Sequence, residues 1–473
     1  MNTCEKPTRA LAEFIAGLRY EDIPPEVIDY AKDLMADALS GALAGMVFAK
    51  KECGWIKGVV DEFGGNPMST VWQTGEKTST FCAALANATM GHTVDFDDTY
   101  FRCIMHCCAA LTATVISVGE AINADGRQML TAFVAGFEGG ARAGNSVNAI
   151  TRTHYKYFHT TATADTFACT MALCNLYGFD ADQTERAIGL AADQAQGFRL
   201  SISQGDFTKS LHAGFPASRA VMATALVRQG CTAYYGIFED PQGWCAAMSE
   251  DGRIEEITQG LGEKWEIMDT CVKFYPSLAC SHTAVENCME LVKEHQIDLT
   301  KIKSIVNKIH YLAPGQGDVW VFNTPLHARL SMPYSCCAAM VYGNLRLEYY
   351  DDQYIDFATG RPRNQLLCDL MDKTTYPQDP ELNKKYPTVT PCFTTITMED
   401  GTVYERFTAY PKGATPERRA TKEQLEEKFM YAAGSKWTPE QCKRALTLFR
   451  DLEHSTAREV VDLIVANQSA NAG

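Results

Sequence analysis

From residue 20 to about 230 the apolar positions of this chain recur with the 3.6-residue period of packed helices, and each run closes with the expected punctuation. Ile23-Pro24-Pro25-Glu26 opens the first, because proline is tolerated in an opening turn. Val27, Tyr30, Ala31, Leu34, Ala38 and Ala42 then form its stripe before Gly45. Cys107–Asn123 reads as a nearly all-apolar helix stopped at Asp125-Gly126. Thr161–Leu176 and Ala181–Ala192 read as a helical hairpin with Gly178 as C-cap and Asp180 as N-cap. Helices so rich in Ala, Gly and Cys must pack closely, since small side chains fill little space by themselves.

The pattern changes after about residue 270. Ile302–Leu312 alternates apolar and polar positions, and Thr394–Met398 and Val403–Phe407 flank the turn Glu399-Asp400-Gly401-Thr402 as a hairpin. Helices return with two capping boxes, Thr421 to Gln424 and Thr438 to Gln441. The expected architecture is mainly α: an all-helical domain built from both chain ends, 1–270 and 411–473, with a smaller α+β lid domain, 271–410, inserted between them. Pockets favour such junctions.

At 473 residues and 46% hydrophobic content the chain can build a large core. A net charge of -15 disfavours nucleic acid and anionic membranes as partners, yet a small anion can still bind in a locally basic pocket. The 18 cysteines are scattered through apolar runs, which reads as buried thiols in a reducing cytoplasm. Met1–Lys6 lacks the pattern of a signal peptide, and Leu34–Ala49 is too short and too polar at Asp37 to span a bilayer.

The richest chemistry lies in Thr93-Val94-Asp95-Phe96-Asp97-Asp98-Thr99, three acids after the apolar stretch Phe81–Met90. Were the helix to continue, His92, Asp95 and Thr99 would share a face and Asp97 would point roughly 160° away from Asp95. One acid, not three, would then meet His92 and Thr99. Four more polar clusters interrupt apolar surroundings: Arg102–His106, Arg152–His159, Thr208–His212, and Lys273–Pro276 leading to His282. No P-loop, strand-led GxGxxG, HExxH or GxSxG occurs, which points to side-chain acid/base chemistry or to no chemistry. Cys103, His106, Cys107 and Cys108 could ligate zinc but lack a second pair at finger-like spacing, and helix packing explains them as well. The three aspartates could hold a divalent cation or cap the next helix.

Taken in order, Ile23–Gly45, Ala83–His106, Tyr157–Gly197, Thr208–Gly214, Lys273–His282, Thr324–Ala339 and Thr395–Gly413 resemble the MmgE/PrpD family of 2-methylcitrate dehydratases, cis-aconitate decarboxylases and iminodisuccinate epimerases. The run from His92 to Thr99 looks like the family's H-x-x-D-[FY]-D-D-T, and Thr208-Lys209-x-Leu211-His212 follows it in order. The resemblance implies a helical domain under an α+β lid, a homodimer, and an active site without metal or organic cofactor. Carried over by position, Asp95, His106, His159, Lys209 and Lys273 are catalytic candidates. His92, Thr99, Tyr157, His212 and His282 are substrate-binding candidates. The chain departs from the family at Tyr100 and Cys107, where histidine and proline are usual, at a one-residue-longer segment before His106, and at Leu278, where the decarboxylases place a histidine.

The implied reaction removes a proton beside a carboxylate of a small anionic polycarboxylate and expels a β-substituent, the anion being met by Lys209, Lys273 and His106. One lysine would bind the carboxylate while the other served as base, and His159 would be the general acid. Dehydration comes first among the outcomes, then epimerisation, then decarboxylation. Two other classes stand beside it. Asp95-x-Asp97-Asp98-Thr99 has the form of the protonating acid of class II terpene cyclases, and a catalytically silent binding protein could keep the same shell.

Overall fold

A computed structural model describes residues 6–147, 153–311, 317–386, 390–414 and 416–469. The chain is mainly helical, with a small mixed sheet in its C-terminal part. Helices Pro25–Phe48, Thr80–His92, Cys107–Ile122, Gly126–Ser146, Thr160–Leu176 and Thr208–Arg228 pack around one large apolar cluster. Ala420, Leu425, Phe429, Trp437, Phe449 and Ile464 from the C-terminal segment join that cluster. A second cluster gathers residues between Tyr275 and Met398, with Tyr155 and Ile202 added from the helical part.

The expected caps form. Asp180 makes a reciprocal box with Gln183, and Thr421 and Thr438 do the same with Gln424 and Gln441; Asp125, expected only as the stop of the preceding helix, adds a further box with Gln128. Three expectations need correction. A helix at Pro7–Gly17 precedes the first one expected, again with proline in the opening turn. The helix from Pro25 continues through Gly45 to Phe48, because Gly45 is a contact point rather than a stop: a Cβ there would overlap the Met90 carbonyl and Thr93 Oγ1. The helix carrying His92 ends at that residue, and the polypeptide turns through a left-handed Asp95 with φ 51°.

Strand Ile302–Ile309 lies at the centre of the sheet, antiparallel to Cys392–Met398 and parallel to the short Thr374–Thr375. Cys392–Met398 in turn pairs with Val403–Thr408 as the expected hairpin. A separate two-stranded ladder matters more for function. Asp98–Tyr100 runs antiparallel to Thr270–Val272, with Thr99 opposite Cys271, so residues 172 positions apart are held side by side and Lys273 emerges next to the aspartate motif. All described cysteines are free, and all but Cys231 and Cys280 are buried. Among the described residues no helix is long and apolar enough to cross a membrane.

Candidate active site

Three helix starts meet the aspartate motif. His106 occupies the N-cap position of Cys107–Ile122, His159 that of Thr160–Leu176, and Lys209 lies in the first turn of Thr208–Arg228. The positive ends of these helices favour anions in the space between them. Gly214 lets the Lys209 helix press against Thr80–His92, since a Cβ there would overlap Thr89 Oγ1 and the Leu85 carbonyl. Lys428, buried on the C-terminal helix Lys422–Gly434, donates to Asp37 Oδ2 and to the Phe96 carbonyl, at 2.8 Å each, and so fixes the loop from behind.

The centre of the site is Asp95. Its Oδ1 accepts from Lys209 Nζ and from Lys273 Nζ at 2.9 Å each, and Lys273 Nζ also reaches the Asp95 carbonyl at 3.3 Å. Its Oδ2 is buried without a hydrogen-bond partner. Burial alone would raise the Asp95 carboxyl, but the Lys209 and Lys273 ammoniums and His106 override it and hold it well below the usual carboxylate range. Burial likewise acts to lower Lys273, and the carboxylates of Asp95 and Asp97 outweigh it, so Lys273 stays an ammonium and is no base.

The histidines are neutral. Burial, with nearby Lys273, pushes His106 well below the usual imidazole range; burial, then His212 and Lys209, do the same to His159. His106 Nδ1 lies 2.6 Å from the Asp98 carbonyl and 3.1 Å from Thr99 Oγ1, so Nδ1 carries the proton and Nε2 is an unprotonated acceptor. His159 Nδ1 and His212 Nδ1 pair at 2.9 Å. His92 is lowered chiefly by burial; it donates Nδ1–H to Asp97 Oδ2 at 2.6 Å and accepts from Lys209 Nζ at 3.1 Å on Nε2. Asp97 therefore faces His92 rather than pointing away from it, and a strand, not a helical face, arranges the motif.

A small cavity of about 20 Å³ lies over these groups. Asp95, His106, His159, Lys209 and Lys273 form its polar side. The five catalytic candidates are thus brought together, with two ammonium charges against one carboxylate. Phe101, Ile104, Ile202, Leu278 and Ala279 complete the lining, with Cys280, Tyr155 and Tyr386. None of this second set was a candidate, because apolar residues carry no signal that separates a cavity wall from ordinary core.

The substrate-binding candidates divide differently. His92, Thr99 and His212 stand behind the lining, each bonded to a group that lines it. His282 is buried with Nε2 3.3 Å from the Ser277 carbonyl and its ring edge-on to Tyr275. Tyr157 is 56% exposed and outside the cavity; its neighbour Tyr155 supplies the tyrosine. Tyr100, at a departure from the family pattern, is buried and hydrogen-bonds Glu266 and Asn145. Among the described residues the one group of side chains spaced to hold a metal ion is Asp451, Glu453 and His454, remote in sequence from the cysteines near His106 and from the three aspartates.

Asp98 serves structure. Its Oδ1 accepts from the Cys108 N–H at 2.9 Å, capping the next helix as expected of one of the three acids. Burial, then the adjacent Asp97, push its carboxyl up to about 7. The folded protein keeps a proton that the unfolded chain releases near pH 4, so this group costs stability as pH rises from about 4 to 7 and the deficit stays constant above that. Asp98→Asn, which retains the acceptor, should therefore gain stability over the parent at pH 8 by up to roughly 4 kcal/mol and by much less at pH 5. Urea denaturation at both values checks it; an equal gain at each would refute the assignment.

Over residues 9–257 the chain matches the MmgE/PrpD N-terminal domain, and over 275–454 the MmgE/PrpD C-terminal domain. It is 24% identical over 482 residues to a cis-aconitate decarboxylase-like protein of Aspergillus oryzae, covering 97% of this chain and 96% of that protein. Identity to the cis-aconitate decarboxylase of Mus musculus is 23% over 463 residues, 94% of this chain and 90% of that one. The cis-aconitate decarboxylase of Aspergillus terreus matches at 25% over 291 residues, 59% of each chain. With both domains matched, and the ordered motifs of the sequence gathered around one cavity, the chain belongs to the MmgE/PrpD family.

Proposed function

We propose that this protein is a lyase that acts on a small polycarboxylate without help from an organic cofactor, by removing a proton next to a carboxylate and expelling a β-hydroxyl. The observation that carries the reading is the pair of lysine ammoniums sharing Asp95 Oδ1 beneath a cavity with two neutral histidines. An enediolate-like anion needs preplaced cations where charge develops, and Lys209 and Lys273 supply them. His106, with Nδ1 tied to the Asp98 carbonyl and Nε2 unprotonated, is the better base than either lysine. His159 begins without the proton a general acid needs, so in this scheme the proton that His106 takes from carbon is relayed to His159, which His212 holds in place, and passes from there to the departing hydroxyl, which leaves as water. Asp95 holds both lysines in place and, with Asp97, keeps Lys273 charged.

Neutral histidines at rest favour a reaction that starts with proton removal, hence dehydration ahead of carbon dioxide loss. Decarboxylation is the second reading, favoured by the names of the relatives, cis-aconitate decarboxylases. A terpene-cyclase acid must hold its proton, and an Asp95 kept ionised by two ammoniums is unsuited to that role.

The test is a panel of citrate, 2-methylcitrate, malate and cis-aconitate, followed by alkene absorbance and carbon dioxide release. The wild type should form an alkene from a hydroxy acid, and His106→Gln should lower kcat by about 10²- to 10⁴-fold. Tyr157→Ala, on the surface, should leave turnover unchanged. Thermal stabilisation by these acids with no turnover of any would instead mark a binding protein. Full activity in His106→Gln would remove that residue from the mechanism.

A further inference from the structure

The backbone pins Arg199 beside His159. His159 N–H donates to the Gly197 carbonyl and Arg199 N–H to the Tyr157 carbonyl, at 2.9 Å each, so the two segments are zipped together. Phe158 and Phe198 pair across the same contact. Gly197 permits it, since a Cβ there would overlap Ala162 and crowd the His212 ring. The Arg199 carbonyl in turn accepts from Ile202 N–H at 2.9 Å, and Ile202 lines the cavity.

The side chain is held less firmly than the main chain. Its guanidinium carbon lies 5.0 Å from the ring centroid of Tyr155, a lining residue. Arg199 is half-buried, its Nε is buried without a hydrogen-bond partner, and among the described residues its guanidinium forms no ion pair. Burial pushes the Tyr155 hydroxyl and the Cys280 thiol up to about 12; Arg199 opposes that rise in both and Asp95 adds to it. These two lining groups therefore lie within electrostatic reach of the guanidinium and of the carboxylate.

The cations already counted in the site are spoken for. Lys209 and Lys273 are offset by Asp95 and by Asp97, whose burial acts to raise it while the hydrogen-bonded His92, with Lys273, keeps it ionised. A polycarboxylate brings two or three more negative charges, and burying them requires further positive partners. The cavity of about 20 Å³ has room for little more than a water molecule, so a substrate must displace part of its surroundings. A guanidinium without a counter-ion is a side chain that can shift at small cost. Resting on the reading of this site as one for a small polycarboxylate, we propose that Arg199 is a specificity-determining residue, which binds the carboxylate farthest from Lys209 and Lys273 and so selects acids with two or more carboxylates over those with one. Its fork of N–H donors matches the two oxygens of a carboxylate.

The experiment compares malate with 3-hydroxybutyrate, which share one carboxylate, the adjacent methylene and the β-hydroxyl, and differ in a second carboxylate against a methyl group. Binding is measured by calorimetry and turnover by alkene absorbance, in the wild type, Arg199→Gln and Arg199→Lys, with thermal denaturation to verify folding. The wild type should bind malate at least about tenfold more tightly, and Arg199→Gln should lose about tenfold of that preference. KM for malate should rise in this variant while kcat changes by less than about threefold, as for a contact to a non-reacting group. Arg199→Lys, which keeps the charge without the fork, should recover part of the preference. Equal affinity for the two acids in the wild type, an unchanged ratio in Arg199→Gln, or a fall in kcat at constant KM overturns the proposal. Equal loss of affinity for both acids would mark a structural role and overturn it as well. An Arg199-dependent preference in binding, with no turnover of malate or citrate, would leave Arg199 standing and overturn the lyase reading. Turnover with the ratio unchanged in Arg199→Gln would do the reverse, and binding of neither acid would overturn both.

Discussion

Lys273→Met should lower kcat/KM for the preferred polycarboxylate by about 10³-fold or more, with the protein still folded. Methionine keeps the length and apolar stem of the lysine and removes only the ammonium, which here stands 2.9 Å from Asp95 Oδ1 at the cavity wall. Removing one preorganised donor from an oxyanion site costs about 10²- to 10³-fold, and the loss of a full charge in a buried site should reach or exceed the upper figure. The network can tolerate the change in its fold, because Asp95 keeps Lys209. Lys273→Arg should recover little, since a planar guanidinium cannot occupy the point charge's position between carboxylate and carbonyl. Steady-state kinetics beside thermal denaturation decide the matter; a loss below about tenfold would mean that Lys273 holds the fold and not the reacting anion.

Asp95→Asn should be the most destabilising single change at the site, by about 3–5 kcal/mol, as expected when one partner of a buried ion pair is removed. Both ammoniums bond the same oxygen, so with the carboxylate neutralised they face each other across little more than the width of that atom's contacts. At an effective dielectric of 20 and roughly 6 Å, their repulsion is about 3 kcal/mol. Adding Lys209→Met should restore much of the stability, which makes the coupling measurable as a double-mutant cycle. Added citrate should also stabilise the single variant more than it stabilises the wild type, because an anion can replace the lost carboxylate. A stability change below about 1 kcal/mol would show that the lysines are not charged together, and the reading of the site would fall with it.

Both effects follow from a site that was partly legible from residue order alone. The five polar clusters could be named because charged residues amid apolar helices demand partners, and Asp95, His106, His159, Lys209 and Lys273 do share one cavity. The inference that one acid of three faces it also holds for the lining, but its reasoning does not. Helical periodicity carried past His92 predicts a shared helical face, whereas the chain turns at Asp95 and continues as a strand paired with Thr270–Val272. That ladder is a long-range contact, invisible to any local period. The error turns Asp97 away from His92, to which it in fact bonds. Tyr157, a candidate by position in its cluster, lies outside the cavity that Tyr155 lines.

Local sequence determined the helices, their caps and the hairpin, because these depend on residues a few positions apart: a side-chain oxygen reaching an N–H three residues on, or a turn between alternating runs. It also determined which chemical groups were available. Tertiary structure decided their state. Asp95 is ionised because two lysines from distant segments converge on it, His106 and His159 are neutral because they are buried beside those cations, and the cavity has apolar lining because Phe101 and Ile104 share it with Ile202, Leu278 and Ala279 from distant segments. Charge state and cavity shape depend on what lies within a few ångströms in space, and only the folded chain sets those distances.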